Sequence, residues 1–165
     1  MSDVSVRRVG PDDWETWREV RLAALADSPE VFPGELALAQ DYDETAWRER
    51  LDESYGVWLL ATSDTAEPIG QVGAWLPFGS VPTLVQTWVR PVWRGRGVGD
   101  ALIEEALGWT RERGHDRLDL WVLETNLPAR RLYERHGFFR TAEYLPCPDL
   151  PRMREERMVR RLTRS

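Results

Sequence analysis

Gln86-Thr-Trp-Val-Arg-Pro-Val-Trp-Arg-Gly-Arg-Gly-Val-Gly99 joins a strand to a helix through three glycines. The strand runs from Leu84 to Val89 and stops before Pro91, and glycines follow at 95, 97 and 99. From Val98 onward Leu102, Ala106 and Trp109 recur at helical spacing, with Ile103 and Leu107 beside them. Such a turn is an anion cradle. The first-turn N–H groups lack intrahelical partners, the helix dipole is positive there, and glycine lets ligand oxygens approach the backbone. Arg94 and Arg96 add fixed positive charge. The dinucleotide fingerprint G-x-G-x-x-G fails here, because its third glycine would fall on Asp100 or on Leu102. The P-loop fails too, since the chain contains no lysine. What remains is R-x-x-G-x-G over residues 94–99.

A second stretch follows a strand and precedes another: Asn126-Leu-Pro-Ala129-Arg-Arg-Leu132-Tyr133-Glu-Arg-His-Gly137-Phe138. Asn126 suits a helix N-cap, and Pro128 falls in the first turn, where no N–H donor is needed. Ala129, Leu132, Tyr133 and His136 share one face, and Gly137 ends the helix. Together the two stretches resemble the GNAT superfamily of acetyl-coenzyme A-dependent N-acyltransferases, whose segment N-x-x-A-x-x-L-Y-x-x-x-G-F the second one matches.

That resemblance implies a mixed α/β fold around a central, mostly antiparallel sheet of six to seven strands. Its fourth and fifth strands are parallel and splay apart where a bulge ends their pairing, leaving backbone groups for the pantetheine arm. Coenzyme contacts are then expected from Trp88, Val89, Arg94, Gly95, Arg96, Gly97, Val98, Gly99, Asn126 and Tyr133. Two catalytic residues are expected. Tyr133 is the candidate acid for the departing thiolate, because an unperturbed phenol of pKa about 10 stays protonated at neutral pH. Glu124, the carboxylate nearest the end of the fifth strand, is the candidate base, with a water chain as the alternative. Relatives that acetylate protein N-termini often carry Glu five residues before the motif Asn. That position is Trp121 here, which weighs against a peptide acceptor.

The 165 residues suit one domain, residues 1–165, with material for a sizeable core. A net charge of −6 argues against a nucleic-acid partner. The single cysteine, Cys147, excludes an internal disulfide and suits a reducing compartment. No signal peptide is expected, and the apolar run Val57 to Ala61 is far too short to span a membrane, so the expected location is the cytoplasm. His115 and His136 stand alone, and no metal-ligand spacing occurs, so no metal is expected.

The remaining pattern fills in the elements. Val4 to Val9 reads as a strand, and Trp14, Trp17, Val20 and Ala24 as one face of a helix opened by Pro11-Asp12-Asp13. Residues 30–40 read as loop or short helix, and Ala46 to Asp52 as a further helix after Asp43. Strands are expected over Val57 to Thr62 and Ile69 to Leu76, with strict alternation in Leu84 to Val89 placing Leu84, Gln86 and Trp88 on one face. After the helix capped by Gly114, a fifth strand spans Leu118 to Leu123. Two closing strands, Phe138 to Leu145 and Arg157 to Leu162, flank a proline-rich loop from Pro146 to Pro151. By the resemblance, the early helices wall the acceptor pocket. Glu35, Asp41 and Asp43 are candidates to face a cationic acceptor, and Trp75, Trp88 and Trp121 to line its cleft. The expected acceptor is the primary amine of a small or amino-acid-like molecule, with a homodimer possible. A catalytically silent acyl-coenzyme A sensor is the alternative.

Overall fold

A computed structural model describes residues 3–31, 34–77, 80–147 and 150–163. Seven strands form one sheet: β1 Ser5–Val9, β2 Gly56–Thr62, β3 Pro68–Trp75, β4 Thr83–Val89, β5 Arg117–Leu123, β6 Phe139–Cys147 and β7 Leu150–Arg161. Their spatial order is β1-β2-β3-β4-β5-β7-β6, and every neighbouring pair is antiparallel except β4 with β5. Five α-helices cover the faces: α1 Trp14–Asp27, α2 Glu35–Gln40, α3 Glu44–Arg50, α4 Val98–Glu112 and α5 Leu127–Arg135. No helix among the described residues is long and apolar enough to cross a membrane.

The sheet is buried on both sides, which explains the continuous apolar run in β2. Val57, Leu59 and Ala61 face a core built with Leu102, Ile103, Ala106 and Leu107 of α4. Trp58 and Leu60 face a second core built with Trp17, Val20 and Leu25 of α1 and Trp47 of α3. Burying each such aliphatic side chain contributes about 1.5–3 kcal/mol. Asp43 caps α3, its carboxylate accepting from the Ala46 N–H at 2.8 Å, so the helix begins two residues before Ala46. The open segment at 30–40 contains the short α2, and residues 32 and 33 lie outside the described residues.

Two expectations need correction. The proline-rich stretch at 146–151 is not mainly a loop, because β6 continues to Cys147 and β7 begins at Leu150. Pro146 fits because β6 is the edge strand, and Pro151 precedes the part of β7 that pairs with β5. Nor does β4 alternate strictly. Its register against β3 shifts between Gln71↔Trp88 and Gly73↔Val85, so Gln86 and Thr87 together stand opposite Val72. Gln86 takes a left-handed backbone, φ 57°, which costs a non-glycine residue roughly 1–2 kcal/mol. The consequence is a change of parity. Val85, Gln86 and Trp88 face the α1–α3 side, while Leu84, Thr87 and Val89 face the α4–α5 side. Buried Gln71 braces the bulge, its Nε2 donating to the Gln86 carbonyl at 3.3 Å.

Candidate active site

The bulge opens the sheet. β4 and β5 pair in parallel only at Thr83↔Asp119 and Leu84↔Leu120, and beyond that point they diverge. On its other side β4 stays zipped to β3, with the Arg90 N–H donating to the Ile69 carbonyl at 2.8 Å. Antiparallel ladders alternate, so Val89 turns its own N–H and C=O toward the gap. A wedge-shaped opening walled on one side by the edge of β4 therefore separates the two strands.

The glycine loop lies at the end of that opening. Gly95 and Gly97 have φ of 75° and 83°, and a Cβ on either would meet nothing within 4 Å. Gly97 is the N-cap of α4, with no side chain supplying the cap, and the first helical bond it makes is from Ala101 N–H to its carbonyl at 3.0 Å. The N–H groups of Val98, Gly99 and Asp100 are thus left outside the helical ladder. Val98 and Gly99 are buried, and a Cβ at Gly99 would come within 3.1 Å of Leu132 on α5. Asp100 turns away from the cradle. Although burial raises its pKa, hydrogen bonds from His136 and Arg135, at 2.7 and 3.0 Å, bring it below the usual carboxylate range. His136 also reaches Glu104 at 2.7 Å, so it ties α4 to α5 rather than standing alone at a helix end.

The two loop arginines differ. Arg96 is exposed and lies over the Trp93 ring, 5.1 Å from its centroid. Arg94 reaches back across the gap's mouth: Nε donates to the Val89 carbonyl at 2.9 Å, and Nη2 to Asp27 at 2.6 Å. Asp27 also accepts from the Trp88 indole at 3.1 Å. The hydrogen bond from Arg94 and then that from Trp88 hold its carboxyl low. The end of α1 is pinned to the end of β4 by this triad, a connection the sequence pattern did not indicate.

Tyr133 fills the other wall. It projects from α5 into the core, 7% exposed and edge-on to Phe138 with centroids 5.9 Å apart. Burial pushes its phenol above the ordinary value, and the Thr87 hydroxyl acts the other way. Thr87 of β4 and Tyr133 of α5 thus approach each other across the gap. Thr87 was not among the expected residues, because its orientation depends on the bulge. Asn126 caps α5, its side chain accepting from the Ala129 N–H at 3.3 Å.

Glu124, the expected base, is engaged at the end of β5. Its two carboxylate oxygens take the Nε and Nη2 of Arg154 at 2.7 and 2.9 Å. Those hydrogen bonds keep the carboxyl below its usual range, whereas a base for an ammonium group needs a raised one. Glu124 clamps the end of β5 to β7.

On the face opposite Tyr133 a cavity of about 390 Å³ opens between α1, α2, α3 and the sheet. Its aromatic lining is Trp17, Tyr42, Trp47 and Trp58, and Gln86 of the bulge reaches it from β4. The expected trio is elsewhere: Trp75 is exposed, Trp88 is held by Asp27, and Trp121 lies on β5 outside the cavity lining. Among the three acids expected to face a cationic acceptor, only Glu35 lines the cavity, and it is paired with Arg21 at 3.4 Å. Asp43 is spent on the α3 cap, and Asp41 ends α2. Gly73 makes room for this wall, since a Cβ there would stand 2.3 Å from the Trp58 ring.

Residues 17–138 match the model of the Acetyltransferase (GNAT) family. An L-amino acid N-acetyltransferase of Escherichia coli (strain K12) is 28% identical over 145 residues, covering 84% of each chain. A mycothiol acetyltransferase of Beutenbergia cavernae is 30% identical over 122 residues, 74% of this chain but 40% of that protein's length. The fold matches the PaiA N-acetyltransferase of Thermoplasma acidophilum, solved in complex with coenzyme A, with a TM-score of 0.74, 17% identity and coverage of 96% and 99% of the two chains.

Proposed function

The chain belongs to the GNAT acetyltransferase family, and we propose that it carries the acetyl group of acetyl-coenzyme A to the primary amine of a small, amino-acid-like acceptor by direct attack. One observation carries the reading. The Tyr133 hydroxyl meets Thr87 inside the gap, while Gln86, the very next residue, lines the cavity on the opposite face. A thioester in the gap and an amine in the cavity would therefore meet at one bulge.

The donor-binding parts fit this role. The cradle of Gly95, Arg96, Gly97, Val98 and Gly99 suits a pyrophosphate, with Arg94 beside it, and the edge of Trp88 and Val89 suits the pantetheine amides, with Asn126 across the gap. The coenzyme supplies an activated acyl group, and the protein's contribution is position and proton control. Holding both reactants in line is worth up to about 7–11 kcal/mol. The Val89 N–H faces the place where the carbonyl oxygen gains charge. Tyr133, kept protonated by burial, donates to the leaving sulfur. The acceptor ammonium, of pKa about 10.4 when free, loses its proton to water at the open mouth of the cavity. The lone cysteine and charge balance support a cytoplasmic protein acting as one domain without nucleic acid.

Coenzyme-thiol release measured across a panel of primary amines tests the reading. Turnover with an amine supports it, and coenzyme binding without any turnover would establish the silent sensor instead. Glu124→Gln is expected to leave the pH–rate profile superimposable on that of the parent protein, because its carboxylate is engaged by Arg154. A displaced acidic limb would restore Glu124 as the base.

A further inference from the structure

We propose that the acceptor carries a carboxylate beside its amine, bound by Arg21 and Arg50, with an aromatic or large apolar side chain against Trp17, Tyr42, Trp47 and Trp58. This deepens the N-acetyltransferase reading and rests on it.

The cavity's charge runs against that of the whole protein. The chain carries −6, yet two arginines and a single glutamate line this cavity. Arg21 rises from α1 with only 15% of its side chain exposed. Burial is the largest influence on its guanidinium and lowers its pKa, with Glu35 and Tyr42 acting the other way. A cation held in so dry a place gains from a second anion brought beside Glu35.

Arg50 approaches from α3. Its guanidinium lies 3.7 Å from the centre of the Tyr42 ring, and Nη1 donates to the Ala46 carbonyl at 2.8 Å. Stacking and that bond hold the plane in place, leaving donor edges preorganised for a planar carboxylate. A polyamine or aminoglycoside would bring positive charge to two guanidinium groups. An α-amino acid brings the opposite charge, and its amine lies within two bonds of the carboxylate carbon, so holding one positions the other near Gln86.

The experiment compares L-phenylalanine, L-phenylalaninamide and phenethylamine as acceptors of the full chain, by thiol release with saturating acetyl-coenzyme A. The first should show a kcat/KM roughly ten- to a hundredfold above the other two, the range expected for hydrogen bonds to a charged group. Arg21→Gln should raise KM for phenylalanine about tenfold or more and leave phenethylamine unchanged, and Arg50→Gln should act in the same direction. Quenching of tryptophan fluorescence by the same three compounds reads the cavity without turnover. If phenylalanine quenches selectively but no amine is acetylated, the carboxylate site stands and the transferase reading falls. Equal use and equal quenching by phenethylamine, or equal losses for both ligands in Arg21→Gln, overturn the carboxylate site.

Discussion

Tyr133→Phe is expected to bind coenzyme A as the parent protein does and to lose about 10²–10⁴-fold in kcat, the usual contribution of a positioned proton donor. The ring stays in place, because its packing is apolar: it is buried and edge-on to Phe138. Only the hydroxyl disappears, and with it the influence of Thr87 on it. The pH dependence carries a second signature. Burial raises the phenol's pKa above about 10, so the proton-donating form persists through that value and is depleted only at still higher pH. The linked stability has the same sign, being fully present below the unfolded pKa and lost as pH rises through the folded one. Stopped assays from pH 7 to 10 should thus show no basic fall in kcat from this group. A Phe variant with unchanged kcat would remove Tyr133 from the chemistry and leave it a packing residue.

Deleting Gln86 is the second large effect. It removes the one extra residue of β4, and the register then runs without a shift from Trp75↔Thr83 to Gly70↔Val89. Every remaining side chain keeps its face, because Val85 and Gln86 share a side in the bulge, and removing one restores simple alternation. The left-handed backbone at Gln86 goes as well, releasing roughly 1–2 kcal/mol of strain. The variant is therefore expected to fold with a melting temperature close to the parent's, the released strain offsetting the hydrogen bond that buried Gln71 loses. With β4 straightened, its free edge can pair with β5 beyond Leu84↔Leu120 and close the gap. Withdrawing the Val89 edge from the coenzyme would weaken its binding roughly tenfold. Turnover should fall further, since a displacement of about 1 Å can cost 10²-fold. Calorimetric titration with coenzyme A alongside thermal melts separates the cases. Undiminished affinity in a well-folded deletion variant would show that the bulge does not shape the donor site.

Both expectations turn on the same five residues, Val85 to Val89, and they mark where one-dimensional reading stops. The glycine loop, the helix after it and the Asn126–Phe138 segment were legible because their signals are local. Left-handed glycines, an N-cap, a first-turn proline and 3.6-residue periodicity act within a few residues of themselves. The parallel step between β4 and β5 was legible for the same reason, since a strand, helix and strand in succession admit one hand of crossover.

The polar residues that complete the site were settled by contacts distant in sequence. The bulge at Gln86 is stabilised by Gln71, fifteen positions away, and it reverses the alternation that the pattern of β4 alone implies. Thr87 meets Tyr133 only because of that reversal. Glu124 is a carboxylate like any other until Arg154 of β7 lies against it, and Arg94 is a free cation until α1 delivers Asp27. The cavity's sign was equally hidden. Acids near the second and third helices suggested a negative pocket, but folding spent Asp43 on a helix cap and brought Arg21 inward beside Glu35. Local stereochemistry thus specified the framework and the anion cradle, whereas side-chain charge and strand register, which depend on partners brought together by folding, decided what the cleft can hold.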